Sequence, residues 1–177
     1  ECCCIPIQGN LNYLHPHESP MEEEFEDAFM KNFRKDIPLP RKIPKSFHLP
    51  YSLRSIPRFD VIVGMAPMDS VSKKAKHYGV SITVYLVSVY LMSLQSIYNE
   101  LTKFRKRRAR KILRIQVPVN LRKIYPSRTM RNFSLFVTPE IDVGLGEYTL
   151  EEIIKTVYHM MQLETDRKLI NKIISRN

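Results

Sequence analysis

Apolar positions along this chain change period several times, and each change marks an element. Phe59, Val61, Val63 and Met65 alternate with Asp60, Ile62 and Gly64, the period-two signature of a strand. Pro67 ends that strand, and Asp69 is placed to cap a short helix with Val71, Ala75 and Tyr78 on one side. Gly79 then stands where a left-handed residue closes a helix. Ser81 or Thr83 caps a long apolar helix running from Val84 to Phe104, whose apolar residues nearly encircle the axis. A helix of that kind is a membrane span or the centre of a core. A span needs about 20 mainly apolar residues, and Ser88, Ser93, Gln95, Ser96 and Asn99 interrupt this one. The pattern therefore predicts a buried helix.

Leu113, Ile115, Val117 and Val119 alternate with Arg114, Gln116 and Pro118, which predicts a second strand. Phe133, Leu135, Val137, Ile141 and Val143 hold one phase through a third, with Pro139 marking a bulge or an edge. Thr149 with Glu152 forms a capping box. Leu150, Ile153, Ile154, Val157 and Met161 carry the stripe of the helix that follows. Leu169, Ile170, Ile173 and Ile174 continue helical spacing with no stop signal before Asn177, a pattern expected of a truncated chain.

The first 57 residues read differently. Nine of the twelve prolines fall before residue 70. Ser19-Pro20-Met21-Glu22 gives an N-cap, a proline at the first helical position and an acidic first turn. Met21, Phe25, Ala28, Phe29 and Phe33 then space a short helix over 20–34. The acidic run Glu22, Glu23, Glu24, Glu26 and Asp27 reads as its solvated face. From Lys35 to Pro57 the prolines recur too often for a helix or a central strand, so this part is an extended linker lying along a neighbouring surface.

The expected division is a Pro-rich linker over 1–57 and an α/β unit over 58–177, with element order β-α-α-β-β-α, a mixed β-sheet and packed helices. Three strands and one apolar helix do not close a core alone, so cover is expected from polypeptide outside these 177 residues or from a partner chain. No internal repeat or Gly-rich phosphate loop is present.

Composition narrows the chemistry only a little. A net charge of +10, from 28 Lys and Arg against 18 Asp and Glu, favours an anionic partner without choosing one. Seven cations fall within the nine positions 103–111. The plainer reading is a solvated loop. The functional reading is an anion-binding patch (Arg105, Arg107, Arg108) for the phosphates of coenzyme A or for a membrane surface. Nucleic acid is the weaker case, because only Phe104 interleaves as an aromatic. Cys2, Cys3 and Cys4 are adjacent and without a fourth, which suits neither a metal site nor a disulfide framework. They read as reduced thiols, and with no secretion signal visible a cytoplasmic location is expected.

Gly79-Val80-Ser81-Ile82-Thr83 leading into an apolar helix resembles the G-V-T-x-T helix start of the chloramphenicol acetyltransferase-like superfamily, which includes condensation domains, alcohol acetyltransferases and wax-ester synthases. Val117-Pro118-Val119-Asn120-Leu121-Arg122, followed by Arg131-Asn132-Phe133, is similar to the P-V-x-L-R … x-N element of its acyltransferase branches. The resemblance covers roughly residues 58–165. It implies a pseudo-dimeric enzyme of two α/β halves with a tunnel between them, this chain holding the inter-half linker and one half of the two-layer sandwich. It also implies an acyl thioester on coenzyme A or a carrier as co-substrate, and an alcohol or amine acceptor.

The family's general base is the second histidine of a His-His-x-x-x-Asp motif, and here the chain departs from the pattern. No two of its histidines are adjacent, and the fourth residue after each is Ser19, Met21, Ser52, Ser81 or Leu163. His15-Pro16-His17 reads as a surface loop, and His48, His77 and His159 stand singly. What the resemblance leaves is a candidate substrate-binding set, Asn120, Arg122 and Asn132, presenting amide and guanidinium donors to one tunnel mouth. The plainer reading of these three is that they hydrogen-bond loop backbone. The rival function is a non-catalytic basic module binding an anionic polymer or membrane surface, or a degenerate half that scaffolds a partner.

Overall fold

The computed structural model describes residues 19, 21–37, 43–51 and 61–175. Cys2–Cys4, His15-Pro16-His17, Pro20 and the Phe59-Asp60 start of the first expected strand lie outside the described residues. The class is α/β, as the pattern predicts, and the described sheets are antiparallel pairs.

The centre is a ribbon. β1 (Ile112–Arg114) pairs antiparallel with β4 (Glu140–Asp142), aligning Leu113 with Ile141. β2 (Val117–Asn120) pairs antiparallel with β3 (Ser134–Val137), aligning Val119 with Leu135. Both ladders keep one register, so they are two stretches of a single hairpin. The two long strands expected at 113–119 and 133–143 are thus each broken once, at Ile115-Gln116 and at Thr138-Pro139. Pro139 has no N–H to give the ladder. Across the gap, the Ile115 N–H still donates to the Pro139 carbonyl at 3.1 Å. The Thr138 N–H turns aside to the Glu164 carboxylate.

Two apolar clusters sit on this ribbon. At one end, α3 (Ile82–Asn99) and α5 (Leu150–Glu164) pack Val84, Val87, Leu91, Ile153 and Val157 against Leu113 and Ile141. At the other, α1 (Ala28–Asn32) and α6 (Arg167–Ile174) bring Ala28, Ile170 and Ile174 to Leu121, Tyr125, Phe133 and Leu135. Burying such side chains is worth about 1.5–3 kcal/mol each, so each cluster holds its end of the ribbon.

The long apolar helix departs from expectation twice. It stops at Asn99 because Thr102 turns extended and caps a new helix, its hydroxyl accepting the Arg105 N–H. It is also buried along one stripe, Val84, Val87, Ser88, Leu91, Gln95 and Tyr98, and not all round. Leu86 (51% exposed), Val89 and Tyr90 (57%) face outward. The buried Gln95 amide is fully used: its Nε2 donates to the Tyr148 carbonyl at 2.8 Å, and its Oε1 accepts the Tyr148 N–H at 3.0 Å. No single helix among the described residues is long and apolar enough to cross a membrane.

Other expectations shift for local reasons. The basic run begins as a short helix, α4 (Lys103–Arg108), and not as a loop. The helix over 20–34 divides into a 3-10 turn (Glu22–Phe25) and α1, because the Asp27 carboxylate caps the second piece by accepting the Phe29 and Met30 N–H groups. Residues 61–67 form no strand, since period-two alternation supplies no partner: Val61 and Ile62 are exposed (83% and 96%). α2 (Met68–His77) starts after Pro67 with Asp69 inside its first turn, not at its cap.

Where the signals were local they hold. Gly79 closes α2 at φ 67°, a conformation that disfavours a Cβ, and α3 then leaves at 87° to α2. Ser81 caps α3. The linker residues 43–51 lie along the ribbon: the Phe47 N–H donates to Ile112 O at 2.7 Å, the Arg114 guanidinium donates to Pro44 O at 2.8 Å, and the Phe47 ring meets Tyr98 edge-on.

The Thr149–Glu152 capping box opens α5. Hydrogen bonds from the Thr149 backbone and hydroxyl to its carboxylate hold the Glu152 pKa below the ordinary 4.5. A lowered carboxylate pKa stabilises the fold above the unfolded-state value and loses that contribution as pH falls through the folded-state value. The melting temperatures of the parent and Glu152→Gln should therefore differ by a constant amount above pH 4.5 and converge below it. A difference that stays unchanged on acidification would show that the box does not hold the carboxylate.

Candidate functional site

The end of β2 and the turn that follows it hold the three residues of the candidate binding set. β2 ends at Asn120, whose Oδ1 accepts the Arg122 N–H at 3.0 Å and opens a 3-10 turn over Leu121–Lys123. That local bond sends the chain sideways and buries Leu121, whose N–H donates to Phe133 O. Arg122, half-buried, then reaches across the loop. Its Nη2 donates to the Thr129 and Arg131 carbonyls, both at 2.7 Å, and its Nη1 approaches Asn120 Oδ1 at 3.4 Å. Asn132 accepts the Ser134 hydroxyl at 2.7 Å. The structure thus brings Asn120 and Arg122 into direct contact and sets Asn132 at the far side of the same turn.

In this arrangement the guanidinium is a brace. Two of its donors hold loop carbonyls, the plainer of the two roles open to it. Both asparagines act in the turn through Oδ1, and among the described residues neither Nδ2 group has an acceptor. Those exposed amide groups are donors the turn still has to offer.

Thr129 is the residue that sequence reasoning missed. It is buried, and its hydroxyl donates to Glu26 O at 2.6 Å while accepting the Arg131 N–H at 3.2 Å. The adjacent Met130 N–H donates to Glu24 O at 2.8 Å. Glu24 and Glu26 lie more than 100 residues away in the chain, so no local pattern announces them.

Beside the brace lies a cleft of about 480 Å³ lined by Glu23, Glu26, Lys31, Arg122, Pro126, Ser127 and Arg128. Its charges are largely matched internally: Lys31 pairs with Glu26 at 2.6 Å and Arg128 with Glu23 at 3.8 Å. The acidic run is therefore partly a set of ion-pair partners. A second, more apolar cavity of about 430 Å³ borders the other motif, between Tyr78, Gly79, Val80 and the Ile154, Lys155 and Tyr158 face of α5. Tyr158 also lines an adjoining cavity of about 220 Å³ with Val84 and Met161.

Arg105, Arg107 and Arg108 do not join this site. They lie on α4, which precedes β1, at the opposite end of the ribbon from Asn120. His48, His77 and His159 are exposed and far apart in the chain, with His77 and His159 resting edge-on against Tyr78 and Tyr158. Among the described residues no group of three or more His, Cys, Asp or Glu side chains could hold a metal ion.

No protein-family model, curated protein or solved structure matches this chain.

The brace makes a direct prediction. Hydrogen bonds from a charged donor are worth about 1.5–3 kcal/mol each, less where solvent reaches them. Arg122→Gln should lower unfolding stability by about 2 kcal/mol in total. Arg122→Lys should recover little, because an ammonium cannot span two carbonyls as a planar fork does. Urea denaturation checks both, and a silent Arg122→Gln would show that the guanidinium does not brace the turn.

Proposed function

We propose that this chain forms one wall of the substrate tunnel of an acyltransferase that moves an acyl group from a thioester, on coenzyme A or a carrier protein, to an alcohol or amine. The observation that carries the reading is that both stretches resembling the chloramphenicol acetyltransferase-like superfamily border cavities. Gly79 and Val80 edge the apolar one, and Arg122 edges the cleft at the β2–β3 turn. The outward stripe of α3 also favours it, since Leu86, Val89 and Tyr90 form the kind of apolar surface that a facing half would cover.

In this reading the work divides between two bodies. The base comes from polypeptide beyond this sequence, because no His-His-x-x-x-Asp motif occurs here. That imidazole takes the acceptor's proton as its oxygen or nitrogen attacks the thioester carbonyl, then returns it to the departing thiolate. This chain supplies shape and donors. Arg122 fixes the turn, the Asn120 and Asn132 amides offer hydrogen bonds to the donor at the tunnel mouth, and α3 and α5 provide apolar walls.

The test uses the whole reading frame that contains this chain, assayed with acetyl-CoA and medium-chain alcohols by thiol release. The expected results are transfer by the whole protein, none by these 177 residues alone, and a loss of about 10²-fold or more when the second motif histidine becomes alanine. Transfer untouched by that substitution, or no thioester turnover at all, would overturn the assignment.

A further inference from the structure

The basic run has a placement that acyl transfer does not explain. α4 and the residues after it carry Lys103, Arg105, Lys106, Arg107, Arg108, Arg110 and Lys111 with no carboxylate among them. The linker adds Lys45, because Arg110 Nη1 donates to the carbonyl of the adjacent Ser46 at 3.4 Å. The carboxylates around the run are Asp142, whose Oδ1 lies beside the Lys111 side chain, Glu100, just before the run, and Glu147, which accepts from Asn99. A clear excess of positive charge remains. In the middle of it Phe104 is 65% exposed, with the Arg108 guanidinium lying 4.7 Å over its ring. Lys106 is drawn the other way, over Tyr98. The exposed face of α4 is therefore an aromatic ring surrounded by cations.

We infer that this face docks the protein on an anionic lipid surface. Clusters of four to eight Lys and Arg on a short amphipathic helix suit acidic headgroups. An exposed ring among them adds apolar insertion, with Arg108 able to stay at headgroup depth. Nucleic acid fits less well. Two turns of helix present one aromatic, whereas a strand binder needs a row of stacking rings along a basic groove.

The fold gives the docking a direction. Lys111 leads straight into β1, and nine residue steps of about 3.3 Å put Asn120 up to about 30 Å away. The face can meet a membrane while the β2–β3 turn remains in solution. This inference stands whether or not the acyl-transfer reading does.

The test is co-sedimentation with phosphatidylcholine vesicles, with and without about one-third phosphatidylserine. The expected result is binding only to the anionic vesicles, weakening as salt rises. Each Lys or Arg near such a surface contributes about fivefold in partition, so the triple variant R105Q/R107Q/R108Q should bind on the order of 100-fold more weakly. Phe104→Ser should weaken binding without changing the salt slope. Circular dichroism melts should match the parent. If the triple variant fails to fold, the Phe104→Ser and salt arms carry the test. Equal binding to neutral vesicles, or full binding by the triple variant, would overturn the proposal. So would an oligonucleotide that displaces the vesicles and binds Phe104→Ser as well as it binds the parent, which would assign the patch to nucleic acid.

Discussion

One register governs this molecule. The pairings Leu113 with Ile141 and Val119 with Leu135 belong to the same hairpin, although Pro139 breaks the ladder between them. A slip of one residue would turn every buried side chain of the ribbon to the other face. Leu113 and Ile141 would leave the α3–α5 cluster, and Leu135 would leave the α1–α6 cluster. The ribbon is therefore what makes two separate apolar clusters into one structure, and its two ends carry the two surfaces of interest. The Arg122 brace sits at one end and the cationic helix at the other.

How far the sequence announced this depended on the range of each interaction. The capping box at Thr149 and Glu152, the Gly79 closure and the Ser81 cap involve neighbours within four positions, and each was legible. The ribbon's alternation was legible too, and Pro139 was correctly marked as a disturbance. Its consequence, one hairpin in two stretches, depended on the pairing. Residues 61–65 misled because alternation describes a strand's faces and says nothing of a partner. The 103–111 run misled because like charges argue for a loop, while the Thr102 cap and the rings of Tyr98 and Phe104 favour a helical turn.

The candidate site divides in the same way. Asn120, Arg122 and Asn132 were named from a motif, and the structure places them in one turn. What Arg122 does there depends on Thr129, and Thr129 is set by Glu24 and Glu26 on the far side of the chain. A contact across that separation leaves no trace in spacing or composition. The outward stripe of α3 was hidden for a related reason: an apolar helix looks the same in sequence whether its cover is present or not.

The unbroken register makes the ribbon a single cooperative element despite its break. Native-state hydrogen exchange of its backbone amides tests this most directly. Amides of the β1–β4 and β2–β3 ladders, with the Ile115 N–H that bridges them, should open with one common free energy. Two distinct opening energies, with Ile115 exchanging like an unstructured amide, would contradict it.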